Sequence, residues 1–479
     1  MNLRFVFLCL SIVLSTTAQA QVDRSPAGEA RWLLERLTGV KWSLSDPVTQ
    51  QMIQKITAGD RQGAVDLATS QPQFLNVLVK QMAVKMSNRD ETIRDQMNDF
   101  AASFMGVTRD QRDARELLFG DFYYAATDMA AIDPANPGVC TATNPNNNQQ
   151  NYKLCSDADL IRNVIGSNNH YATLESMNVD IGAALRRVSG QKIAGVSTTT
   201  IIGTGGQTQE ISEAGVPVGS PDPAGVLTSR AWMQAHAVAG TNRRLVEYTF
   251  REFMCVPIQE WADTLGSDIR VGRDVDRQPG GDPTKFLTTC KGCHSVMDGF
   301  RGAFAKYDWG DGINEINNGN AILHMHNGAT NGDLRPRNDQ VDNNNRTASG
   351  VVYKMNRNDF VQFAGGYVSR DDSFVNNANR GANATLFGWR GPAPYPAGES
   401  PGALANRTAG VHAFGRLVAG SKRFSTCMAK RVWEAVCHTE YSTAENEAIY
   451  SSLGLDFEGK TYNLKALFQT VALHPKCRR

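Results

Sequence analysis

One stretch of the sequence, Cys290-Lys291-Gly292-Cys293-His294, is the starting point for predicting the fold. On a helix, residues three apart share one face, so the two thiols can add to the two vinyl groups of one haem. The histidine after the second cysteine then directs its imidazole at the iron. The spacing is that of c-type haem attachment. We therefore predict one covalent haem c, held by the thioethers of Cys290 and Cys293 and by His294 as an axial iron ligand.

Three other chemistries use a Cys-x-x-Cys pair: a structural disulfide, half of a zinc site and a redox-active dithiol. Zinc needs four ligands, and the chain has no second Cys-x-x-Cys. A thioredoxin-like dithiol follows a strand in an α/β pattern, whereas the sequence around Cys290 has a helical pattern. These comparisons favour haem over the alternatives.

Several residues are candidates for the iron ligand opposite His294. Met355 follows the motif by about sixty residues, a reasonable spacing for a ligand loop, and is the leading candidate. His236, in a predicted helix, is an alternative, and so is the segment 324–326, which reads His-Met-His. A lone methionine is also a common core residue. An open coordination position is the remaining alternative.

Six further cysteines are expected in the exported chain, and an oxidising compartment favours their pairing. These disulfide candidates are Cys140, Cys155, Cys255, Cys427, Cys437 and Cys477. The first two bracket a loop rich in Asn and Gln, which a disulfide would close.

The pairing of the other four is constrained by helix geometry. Cys427 and Cys437 are ten residues apart on one predicted helix, about 15 Å along its axis, which is too far for a bond. We therefore expect Cys477 to pair with one of them and Cys255 with the other.

Away from the motif, apolar residues recur every three or four positions over much of the chain, which predicts amphipathic helices. Asp46-Pro47 is a typical helix entry. The predicted helical segments are 52–56, 64–68, 74–86, 93–105, 114–125, 157–187, 224–255, 412–417, 424–436, 445–453 and 464–473. Residues 190–223 suggest short strands or irregular structure, and 310–410 suggest loops with at most a small hairpin.

The fold class predicted from these patterns is mainly α. A helical N-terminal bundle is joined to a helical domain for c-type haem with long Gly- and Asn-rich loops. The expected parts are a signal peptide (1–20), a helical bundle domain (21–135), a loop-rich insert with helices (136–223), and a cytochrome c-like haem domain with a C-terminal helical module (224–479).

Residues 1–20 have the pattern of a Sec-type secretory signal. Arg4 is followed by an apolar run at 5–14, and Ala18 and Ala20 stand where signal peptidase requires small residues. The run is too short for a stable membrane anchor, and no later stretch predicts a transmembrane segment. We expect cleavage after Ala20 and a periplasmic or secreted protein.

The overall charge excludes some partners. Lys and Arg number 49 and Asp and Glu 48, a net charge of +1. A balanced chain has no electrostatic bias toward nucleic acid. The expected partner is a redox protein that the sequence does not identify, and export is compatible with association with the outer membrane or the cell surface.

Segments around the motif resemble a family of large secreted monohaem cytochrome c proteins of the planctomycete and myxobacterial type, mostly of unknown function. The similar segments are 114–128, 224–228, 243–255 and 414–473. After the motif, Asp298 and Tyr307 align with the family pattern I-D-P-x-G-F followed by F-D-x-x-G, although Gly299 replaces its proline. The resemblance implies a mostly helical haem protein with several modules and no known substrate.

The leading functional hypothesis is one-electron transfer. The alternative is a haem peroxidase or oxygenase with an open distal side; its catalytic residues are not identifiable here, and dihaem peroxidases carry two motifs where this chain has one. A third hypothesis is a binding or scaffold protein to which a haem module is attached.

Overall fold

In the computed structural model, the structure is described for residues 23, 25–126, 164, 168–202, 208–220, 222–237, 241–272, 275–305, 307–309, 323–325, 355–356, 367–368, 372–390, 410–438 and 444–478. The predicted signal peptide with its cleavage site after Ala20 lies outside these residues. So do Cys140, Cys155 and the predicted boundary after residue 135. The predictions made for them stay predictions.

The first half of the chain is mostly helical. Its helices are α1 (Pro26–Thr38), α2 (Pro47–Thr57), α3 (Arg61–Thr69), α4 (Lys80–Ser87, preceded by a π-helical turn at Phe74–Val79), α5 (Asp99–Arg109), α6 (Glu116–Phe119), α7 (Asn169–Ser176) and α8 (Ile181–Ala184). Its strands are β1 (Phe122–Ala126), β2 (Leu185–Ser189), β3 (Lys192–Ile202) and β4 (Thr208–Gly219).

The second half contains α9 (Arg230–His236), α10 (Arg243–Met254), α11 (Pro283–Lys285), α12 (Lys291–Phe300), α13 (Gly381–Phe387), α14 (Gly410–Ala419), α15 (Lys422–Cys437), α16 (Ala444–Gly459) and α17 (Leu464–Ala472). Its short strands are β5 (Tyr307–Trp309), β6 (Leu323–Met325), β7 (Met355–Asn356) and β8 (Tyr367–Val368). The prediction of a mainly α fold is confirmed. Within the described ranges, no helix is both long and apolar enough to span a bilayer.

The first helices begin where capping residues stand. The side chain of Ser25 accepts a hydrogen bond from the backbone N–H of Gly28 at 3.0 Å, and Asp46 accepts one from that of Val48 at 2.8 Å. A proline follows each cap and takes the first helical position, where it loses no hydrogen bond. Each cap stabilises its helix by about 1 kcal/mol. The helix entry predicted at Asp46-Pro47 is confirmed.

The helix predicted over 114–125 is wrong in its second half. The helix α6 ends at Phe119, and the chain continues as β1, antiparallel to β2, with Phe122 opposite Ser189 and Ala126 opposite Leu185. Consecutive aromatic side chains pack well on a pleated strand. The partner strand that decides the structure comes about sixty residues later, where a helix was also predicted.

The strands expected within 190–223 are confirmed. The strands β3 and β4 form an antiparallel hairpin in which Lys192 lies opposite Gly219 and Ile202 opposite Thr208. The register shifts between Ala194 and Val196. In the sequence, this hairpin lies between the first helices and those that carry the motif.

One hydrophobic core joins helices from the two ends of the chain. The helix α17 packs on α1, α3 and α5, and α15 packs on α1, α4 and α10. The rings of Phe74 and Phe468, which lie edge to face with centroids 5.3 Å apart, belong to this contact. The N-terminal helices and the C-terminal module are therefore packed against each other.

Two disulfides fasten the C-terminal helices. Cys255, at the end of α10, is bonded to Cys427 in α15, and Cys437, at the end of α15, is bonded to Cys477. Cys427 and Cys437 thus have different partners, as the helix spacing requires. The presence of disulfides agrees with folding in an oxidising compartment.

Candidate functional site

The motif lies inside one continuous helical segment that begins at Pro283 and ends with a 3₁₀ turn at Arg301–Phe304. Asp282 caps its start by accepting a hydrogen bond from the backbone N–H of Thr284 at 2.8 Å. A π-helical turn, Phe286–Cys290, connects α11 to α12 and ends at the first cysteine of the motif. Such turns are rare and are found often at functional sites.

The two motif cysteines are free thiols. Cys290 and Cys293 are both partly exposed, whereas every other cysteine that the structure describes is in a disulfide. The Sγ of Cys293 lies 3.7 Å from the carbonyl oxygen of Ile258 and 3.9 Å from that of Trp261. Burial, and then the neighbouring Cys290, raise the pKa of the Cys293 thiol. This thiol is therefore protonated at neutral pH.

The glycine between the cysteines allows close packing. A Cβ atom at Gly292 would lie only 2.7 Å from the carbonyl oxygen of Trp261. The ring of Trp261 is buried, and its Nε1–H donates to the carbonyl oxygen of Val256 at 3.1 Å. The loop after α10 is thereby fixed against the motif helix.

His294 lies between solvent and a buried carboxylate. Its side chain is 25 % exposed, and its Nδ1 lies 3.4 Å from Oδ2 of Asp298, one helical turn further on. This distance is longer than an ordinary hydrogen bond. Among the residues that the structure describes, Nδ1 of His294 has no hydrogen-bond partner.

The charged groups around the motif meet at the carboxylate of Asp298. Its side chain has no exposed surface; Oδ1 accepts from Nε of Arg243 at 2.6 Å, and Oδ2 accepts from Nη2 of Arg243 at 3.0 Å and from the backbone N–H of Gly272 at 2.9 Å. Burial alone would raise the pKa of this carboxyl. The charge of Arg301, the nearby His294 ring, and the hydrogen bonds and charge of Arg243 outweigh burial and hold the pKa well below its usual range. Asp298 is therefore ionised.

His236, one of the predicted alternatives for the distal ligand, is fully buried between aromatic rings. Its ring centroid lies 4.3 Å from that of Trp232 and 4.1 Å from that of Tyr248. Burial, followed by the charges of nearby arginines, lowers its pKa to about 3. Tyr248 and Arg243 project about 140° apart around α10, so His236 packs on a different side of that helix from Asp298.

The other candidate distal ligands lie in short strands. Met355 is in β7, where its backbone pairs with that of Val368. His324 is in β6, opposite Asp308 of β5, and His326 lies outside the described residues. The described contacts do not bring these residues to the motif, and the choice of distal ligand stays a prediction.

The aromatic residues that follow the motif pack mainly against the protein core. Phe300 is fully buried, with its ring near those of Phe250 and Phe414. The buried hydroxyl of Tyr307 donates to the carbonyl oxygen of Asp222 at 2.8 Å. These two side chains therefore act as core residues.

The motif residues fit the c-type haem that the sequence predicts. Two unpaired thiols stand three residues apart on one helix, with a partly exposed imidazole beside them. Exposed apolar side chains border the motif: Leu287 is one turn before Cys290, and Leu265 is next to Gly266, where a Cβ would lie 2.8 Å from Oγ of Ser295. Within the described part of the chain, no three His, Cys, Asp or Glu side chains are grouped to hold a metal ion.

No protein-family model, curated protein or solved structure matches this chain. The resemblance to secreted monohaem cytochrome c proteins therefore stays a prediction.

The motif is evident in the sequence, but the residues that surround it are not. Arg243, whose guanidinium binds Asp298, precedes it by 55 residues, and no local pattern indicates the contact. The packing of Trp261 on Gly292 was missed for the same reason. One signal was visible in the sequence, because His294 and Asp298 stand four residues apart and thus share a helix face.

Proposed function

We propose that this chain binds one haem c, with thioether bonds to Cys290 and Cys293 and with His294 as an axial ligand. The observation that carries the proposal is the selective pairing of cysteines. The four described cysteines outside the motif form disulfides, whereas the two beside His294 remain thiols. A Cys-x-x-Cys pair held open next to a histidine fits covalent attachment better than a structural disulfide does.

We propose one-electron transfer as the activity. When bound, haem c supplies an iron that cycles between two oxidation states one electron apart. The chain's own residues hold the site: Trp261 packs its backbone on Gly292, and the Asp298 carboxylate lies behind the His294 ring. A rigid site favours electron transfer, since little has to rearrange when the charge changes.

We further propose that the protein is periplasmic or secreted, with its signal peptide cleaved after Ala20. The two disulfides support an oxidising compartment. A redox protein is the proposed partner, and membership of the secreted monohaem cytochrome c family is proposed from the segments around the motif.

The test is to express the chain in a host that has a cytochrome c maturation system. We expect one haem per chain that stays bound after denaturation and acid–acetone extraction, measured as the pyridine haemochrome. Replacing Cys290 and Cys293 together by alanine should abolish it. The matched control replaces Cys437 and Cys477 by alanine and should retain the haem. If the unsubstituted chain carries no covalent haem, the proposal is overturned.

Exposure of the reduced protein to carbon monoxide separates the two activities. An unchanged visible spectrum means that a protein ligand occupies the distal position, as expected for electron transfer. A shifted spectrum would favour the alternative, a peroxidase or oxygenase with an open distal site, and would direct the work to peroxide-dependent assays.

A further inference from the structure

We propose that Asp298 is a positioning residue that orients the imidazole of His294 and, together with Arg301, sets the reduction potential of the iron. The inference rests on the proposed haem attachment and deepens it. Four charged or ionisable side chains meet here in a largely buried cluster, which we call the Asp298 cluster: His294, Asp298, Arg243 and Arg301.

Nδ1 of His294 faces Oδ2 of Asp298 at 3.4 Å. The two nitrogens of the ring point in different directions, so Nε2 is left as the nitrogen available to iron. A shift of about 0.5 Å would bring the Nδ1–H into donating distance of the carboxylate. Histidine ligands of metals almost always donate their other N–H in this way, which fixes the ring and makes it a stronger donor.

The carboxylate of Asp298 is held rigidly. Arg243 binds both oxygens of Asp298 at 2.6 and 3.0 Å, and the backbone N–H of Gly272 adds a third hydrogen bond at 2.9 Å. A guanidinium that binds both oxygens fixes the plane of a carboxylate as well as its position. The carboxylate is held from α10 and from the loop before α11, so it can orient His294 rather than follow it.

The charges around Asp298 also bear on the reduction potential. Arg301 Nη1 lies 3.8 Å from Oδ1 of Asp298, so two guanidiniums share one carboxylate. The negative charge behind the axial ligand stabilises the oxidised iron, and the two positive charges oppose it. Removing the carboxylate charge and removing the Arg301 charge must therefore move the potential in opposite directions. A role limited to docking α10 on α12 predicts no such opposition.

The experiment is a spectroelectrochemical titration of the full-length holoprotein and three variants. Asp298→Asn should favour reduction about tenfold, which corresponds to 59 mV for a one-electron couple. Arg301→Gln should favour oxidation, with a somewhat smaller change because the Arg301 side chain is 17 % exposed and water screens its charge, whereas Asp298 has no exposed side-chain surface. The matched control is Glu252→Gln, which removes another buried ion pair on α10, with Arg431 at 2.9 Å, and should leave the potential unchanged.

Opposite shifts in the first two variants, with none in the control, support the inference. Unchanged potentials, or shifts in the same direction, overturn it while leaving haem attachment intact. If Asp298→Asn yields no folded holoprotein, Arg301→Gln decides, since an unchanged potential in that variant overturns the inference. An unsubstituted chain without covalent haem would overturn the proposed function and this inference together.

Discussion

Four of the described cysteines form disulfides, whereas the two in the motif remain thiols. Cys255 and Cys427 bring the ends of a 172-residue segment together, and Cys437 and Cys477 close a 40-residue segment. Cys290 and Cys293 lie inside the larger segment and remain thiols. The bonded cysteines stabilise the core, whereas the free ones lie on a partly exposed helix face and are available for the haem attachment proposed above.

The largest expected effect comes from the disulfide that closes the longer segment. Replacing Cys255 and Cys427 together by alanine should lower the free energy of unfolding by about 5 kcal/mol, because the unfolded chain regains the most freedom when the longest loop is opened. Denaturant unfolding followed by circular dichroism measures the change. A loss below about 1 kcal/mol would contradict the conclusion that this disulfide stabilises the core.

The second disulfide should contribute less. Replacing Cys437 and Cys477 together by alanine should lower the free energy of unfolding by about 4 kcal/mol, since the loop is shorter. The same unfolding experiment on the chain without haem provides the contrast. Alanine at both Cys290 and Cys293 should there change stability by less than about 1 kcal/mol. A larger loss for the motif pair would mean that these thiols are structural.

Gly292→Ala should sharpen the comparison at the motif itself. The added Cβ would meet the carbonyl oxygen of Trp261 at 2.7 Å, which forces the loop away from α12. We expect a loss of about 1–3 kcal/mol and a lower yield of covalent haem. The control is Gly459→Ala at the end of α16, where nothing lies within 4 Å of the new atom. It should lose no stability and should keep the haem yield of the unsubstituted chain. A haem yield that Gly292→Ala leaves unaffected would argue against the packing role.

The smallest effect concerns His236 and depends on pH. Its pKa is lowered to about 3 in the folded protein, first by burial, so the unfolded state binds the extra proton. Stability is therefore lost as the pH falls below 6.5, by about 2 kcal/mol at pH 5 from this residue. His236→Phe should keep the ring packing on Trp232 and Tyr248 and reduce that loss in unfolding measured at pH 7 and pH 5. An unchanged pH dependence would contradict this account, and an altered haem spectrum would favour His236 as the distal ligand.

The sequence predicted helices well where one buried face repeats along a single element. The segment 424–436 is such a case, and it lies within α15. The helix prediction failed at Phe122, because pairing with β2, far away in the sequence, decides the structure there. The motif could be found because covalent haem attachment requires this spacing of two cysteines and a histidine. The ion pairs of Arg243 and Arg301 with Asp298 could not be predicted, since they depend on how α10 packs on α12.

The longer disulfide also constrains the order of events during maturation. In the unfolded chain, Cys290 lies 35 residues beyond Cys255, whereas the native partner, Cys427, lies 172 residues away. Loop-closure entropy therefore favours the wrong pairing about tenfold over the right one. Early capture of the motif thiols by a cofactor would remove these competitors, so haem attachment would act as a protecting group for correct oxidation of the rest of the chain.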